Sequence, residues 1–67
     1  MMLRDRLIAS LAGSRVVVPV GDDVVRGTVA QVRRRWLVLA DVDSDGTQVD
    51  GRMIVALPLP WIQAVGQ

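Results

Sequence analysis

Arg15-Val16-Val17-Val18-Pro19-Val20-Gly21-Asp22-Asp23-Val24-Val25-Arg26-Gly27-Thr28-Val29 is the stretch that decides the fold. Val16, Val17, Val18 and Val20 carry two heavy groups on Cβ, which crowds a helix and suits a pleated surface, so residues 15–20 are predicted to be extended. Gly21-Asp22-Asp23 is turn chemistry. A second strand therefore returns over 24–33, with Gly27 inside it, where a glycine marks a bulge, a sharp bend or the close approach of another backbone.

Arg33-Arg34-Arg35 separates that strand from the apolar run Trp36 to Val42, predicting a tight hairpin and a third strand over 36–42. Asp41 to Gly51 is polar and rich in turn residues. Arg52 to Leu57 follows as a fourth strand, and Met53, Ile54, Val55 and Ala56 make it apolar on both faces. Such a strand is buried on both sides or pairs with another subunit. Pro58-Leu59-Pro60 forces a break, because neither proline can donate to a ladder, and a short last strand covers 61–65. N-terminal to the deciding stretch, Leu3, Leu7, Ile8 and Leu11 recur at helical spacing and Gly13 stands at the C-cap position, predicting a short amphipathic helix over 3–12. The expected fold is mostly β, one domain over 1–67: a short N-terminal α-helix followed by a five-stranded, strongly bent antiparallel barrel, the small-barrel architecture shared by SH3-type, Sm-like and OB-type modules.

The chain has 67 residues and 51% apolar composition, with thirteen valines and two tryptophans as its only aromatics. A 7.3 kDa chain lies near the lower limit for an unstapled core. Without cysteine, disulfides and thiolate metal sites are excluded, so further stability is expected from oligomerisation. His, Lys, Glu, Tyr, Phe and Asn are absent too; the eight positive charges are all Arg and the seven negative ones all Asp. Ser-His-Asp, Cys-His, Lys Schiff-base and His-zinc chemistry cannot be assembled from this inventory. No enzyme, catalytic residue, cofactor or metal is expected. Residues 1–40 hold seven Arg against three Asp, and residues 41–67 one Arg against four Asp, an asymmetry that points to an anionic partner. No apolar run is long enough for a membrane span or a signal peptide, so the expectation is a cytoplasmic protein with no membrane role.

Several segments resemble the Sm-like (LSm/Hfq) small-barrel family. Leu7-Ile8-Ala9-Ser10-Leu11-Ala12-Gly13-Ser14-Arg15-Val16-Val17-Val18 is similar to that family's passage from helix to first strand, and Val25-Arg26-Gly27-Thr28-Val29 to its glycine-bearing second strand. Leu37-Val38-Leu39-Ala40-Asp41-Val42 resembles the third strand, and Leu57-Pro58-Leu59-Pro60-Trp61-Ile62-Gln63-Ala64-Val65 the last two strands with their connection. The resemblance spans nearly the whole chain. It implies a homo-oligomeric ring of six or seven subunits, joined by the fourth strand of one barrel and the fifth of the next, that binds single-stranded RNA. The family's first RNA loop usually holds an Asp and an Asn, where this chain has Arg33, Arg34 and Arg35. Its second, an Arg-Gly or Lys-His pair, is replaced by Pro58-Leu59-Pro60.

Arg33-Arg34-Arg35 beside Trp36 is a cation cluster next to a ring on which a base could stack, as in sequence-tolerant single-strand binders. Arg26, and with it Arg4 and Arg6, could add phosphate contacts. The competing reading solvates the arginines at a hairpin tip and puts Trp36 in the core. Met53, Ile54, Val55, Trp61 and Ile62 are the candidate subunit interface. Asp41-Val42-Asp43-Ser44-Asp45-Gly46 matches the opening of an EF-hand loop, but Gln48 and Arg52 stand where its hydrophobic residue and bidentate Glu belong, so an acidic, solvated loop is expected. Pro58-Leu59-Pro60-Trp61 reads either as a rigid connection or as a proline-rich ligand. The alternative to RNA binding is a protein-interaction or structural module with no nucleic-acid role.

Overall fold

The computed structural model describes residues 10–44 and 46–65. Six strands follow one another along the chain: β1 (Arg15–Val20), β2 (Asp23–Val32), β3 (Trp36–Ser44), β4 (Thr47–Val49), β5 (Met53–Ala56) and β6 (Gln63–Ala64). The helix expected over 3–12 falls outside the described residues as far as residue 9. Residues 10–13 form a turn, in which Ser14 N–H donates to the Leu11 carbonyl at 2.8 Å. Among the described residues there is no helix, and so none long and apolar enough to cross a membrane.

All strand pairs are antiparallel, in the order β4-β3-β2-β1-β6, with β5 also on β3. The predicted β1–β2 hairpin forms with Val20 opposite Asp23, and Gly21 takes a φ of 60° that suits a residue without Cβ. β3 is shared along its far edge: Trp36 to Leu39 pair with β5, and Val42 to Ser44 with β4. The sheet does not close into the expected barrel, since no pairing joins β5 to β6 among the described residues. The connection Leu57-Pro58-Leu59-Pro60-Trp61-Ile62, whose prolines offer no N–H to a ladder, separates β5 from β6, and β6 is only two residues long.

Two further expectations are corrected. The segment taken as a polar loop contains a strand: β3 runs on to Ser44 rather than ending at Val42, and β4 folds back on it. All three residues of β4 are exposed, so β4 has no buried face to impress an alternation on its sequence. Of the two alternatives for the apolar run Met53–Ala56, burial on both sides is overturned: Val55 points into the core while Ile54 and Ala56 are exposed.

The core is Val16 and Val18 from β1, Val25 and Val29 from β2, Leu37, Leu39 and Val42 from β3, and Val55 from β5. No polar side chain is buried among the described residues. Each fully buried Val or Leu contributes about 1.5–3 kcal/mol relative to exposure. Gly27 lies in this core because there is no room for more: a Cβ there would stand 3.1 Å from Leu39 Cβ and 3.3 Å from the Ala40 carbonyl oxygen. The register explains the crowding. Between the pairs Arg26↔Asp43 and Thr28↔Ala40, two residues of β3, Asp41 and Val42, oppose Gly27 alone. Within that bulge Asp41 takes the left-handed region with φ 52°. Arg15 Nη1 donates to the Asp41 carbonyl at 3.0 Å and to Thr28 Oγ1 at 3.2 Å, tying β1 across β2 to the kink.

Candidate nucleic-acid interface

The hairpin joining β2 to β3 carries the arginines. Val32 pairs with Leu37, and Arg33 N–H donates to the Trp36 carbonyl at 2.9 Å, leaving Arg34 and Arg35 as the turn. Neither takes a positive φ, so the turn closes without glycine and two long cationic side chains can occupy it. Leu57 N–H donates to the Arg35 carbonyl at 2.9 Å, holding the turn against the end of β5. Arg33, Arg34, Arg35 and Trp36 are all exposed.

The side chains have unequal support. Arg33 Nη2 donates to Gln31 Oε1 at 3.2 Å, which draws this guanidinium along the outward face of β2. Arg34 and Arg35 make no side-chain hydrogen bond or ion pair with the described residues, so both heads are free to meet an anion. Trp36 stands 47% exposed. Leu37 and Leu39 take the inward positions of β3, so the period of two turns Trp36 outward and rules out its filling the core.

The remaining candidates separate. Arg26 is exposed on β2, seven residues from Arg33 and on the order of 20 Å along the strand. It pairs in register with Asp43 and lines a shallow cleft with Val17, Val24, Asp43 and Gly46, which sets it apart from the hairpin cluster. Arg4 and Arg6 lie outside the described residues. Of the interface candidates, Val55 belongs to the chain's own core, and Met53 and Ile62 are half-buried against it. Ile54 and Trp61 are the exposed pair, at 68% and 43%. Asp41 sits in the bulge and Asp43 faces Arg26; among the described residues no three acidic side chains come together in a metal-holding group. Pro58 to Trp61 is the connection to β6, with Leu59 leaning on the core.

Gln31 was missed in the sequence, although a residue two before Arg33 on one strand shares its face. No family model, no curated protein and no solved structure matches this chain.

Proposed function

We propose that the chain binds single-stranded RNA through the Arg33–Trp36 hairpin, as a subunit of an Sm-like ring. The observation that carries the binding is the hairpin itself, in which two guanidinium groups without a partner among the described residues and a half-exposed indole occupy consecutive positions. Guanidinium groups take up phosphate charge and the indole offers a stacking surface that accepts any base. The ring draws on the family resemblance and on a sheet whose described strands leave β5 and β6 with unpaired outer edges. A protein-interaction module without nucleic acid is the second reading, favoured by the exposure of Ile54 and Trp61.

Fluorescence anisotropy of a labelled uridine octamer, titrated with protein at rising salt, tests the first reading. Three phosphate contacts give a log–log salt slope of about −2. Replacing Arg33, Arg34 and Arg35 together by Ala abolishes binding, and Trp36→Ala weakens it by roughly tenfold or more, the value of one stacked base. Absence of binding at low salt, or binding indifferent to the triple replacement, sinks the RNA reading and leaves the interaction module.

A further inference from the structure

The outward face of β2, β3 and β5 continues from the hairpin as an apolar surface with cations at its ends. Register sets Trp36 beside Ala56, Val38 beside Ile54, and Gln31 beside Val38. Arg52 is exposed and immediately precedes Met53, the first residue of β5, which leans on the core; the strand's alternation, continued one residue beyond its start, sets Arg52 on the side of Ile54. Val38 takes an outward position between Leu37 and Leu39 and is no member of the core cluster, yet it is only 9% exposed, with Ile54 and Gln31 as its register partners. Trp36 and Ile54 are diagonal neighbours across the β3–β5 pair, a spacing an aromatic ring spans. Arg33 bounds this surface at one end and Arg52 at the other, with four residues of β3, about 13 Å, between the rows they flank.

We infer that this face is the bed on which a single nucleic-acid strand continues beyond the hairpin, with one base on Trp36, the next against Ile54 and a phosphate at Arg52. The inference rests on the proposed RNA binding and adds Ile54 and Arg52 to its site. Charge selects the occupant. An apolar sheet face edged by Arg33, Arg34, Arg35 and Arg52 complements a polyanion that carries flat apolar rings. A second copy laid on this face would bring arginines toward arginines, with Asp50 the acidic residue nearest in sequence to Arg52.

The test compares a uridine trimer, long enough for the hairpin alone, with a uridine octamer that also reaches Arg52. Ile54→Ala lowers octamer affinity severalfold and leaves the trimer unchanged, while Arg52→Ala reduces the octamer's salt slope by about 0.7, one phosphate on a single strand. Ile54 is 68% exposed, so its truncation leaves the fold intact, to be checked by circular dichroism. If the triple arginine replacement abolishes octamer binding while Ile54→Ala and Arg52→Ala change neither affinity nor slope, the RNA reading stands and this inference is overturned. If Ile54→Ala lowers the solution mass and leaves octamer binding untouched, the face is a contact between copies, and the inference is again overturned. A wild-type chain that binds neither oligonucleotide removes both.

Discussion

At Gly27 and Asp41 one residue on each of two neighbouring strands determines how β2 and β3 fit together at the first of their two register shifts. Gly27 carries no side chain because Leu39, Ala40 and Val42 occupy the space, and Asp41 absorbs the extra residue of β3 by turning to φ 52°. Gly27→Ala must displace a backbone carbonyl and two core side chains, and is expected to cost about 1–3 kcal/mol, read as a lower urea midpoint. At Asp41 the effect depends on backbone freedom. A β-branched residue is poorly suited to the left-handed region, so Asp41→Val is expected to be less stable than Asp41→Gly by about 1–2 kcal/mol in the same measurement. Equal stabilities for the two would show that the kink is not held in that conformation in solution.

Among the elements, the β2–β3 hairpin separates the proposed binding from stability. Its exposed arginines take no part in the core, and its closure relies on backbone bonds: Arg33 N–H to the Trp36 carbonyl, and Leu57 N–H to the Arg35 carbonyl. Replacing Arg33, Arg34 and Arg35 together by Ala keeps both bonds and is expected to leave thermal stability within about 0.5 kcal/mol of the parent at each site. A large loss would mean that the arginines hold the hairpin. β4 carries the opposite lesson: its exposed residues Thr47, Gln48 and Val49 gained their strand from pairing with β3, which no alternation in the sequence announces.

For the molecule as a whole, the question is how many copies assemble. The described sheet is open between β5 and β6, and Trp61 is exposed in the connection that leads into β6. Light scattering coupled to size exclusion, at tens of micromolar protein, is expected to give six or seven times the 7.3 kDa chain mass. A mass of one or two chains would remove the ring, leaving the hairpin and its sheet face to bind RNA as an isolated module.

The β1–β2 hairpin, an irregularity at Gly27, the tight arginine turn and the break at the two prolines were all legible in the residues alone. Each follows from a property a residue carries everywhere: branching at Cβ, a missing side chain, a missing N–H. Only the tertiary structure decided which side of each strand faces inward, and with it the exposure of Trp36 and the burial of Val55. Met53, Ile54, Val55 and Ala56 are all apolar, so their composition cannot distinguish the two faces. The choice came from pairing with β3, whose Leu37 and Leu39 already pointed into the core. The opening of the sheet was likewise a matter of pairing. Two prolines announce a break in a strand, whereas barrel closure depends on whether edges distant in sequence reach one another.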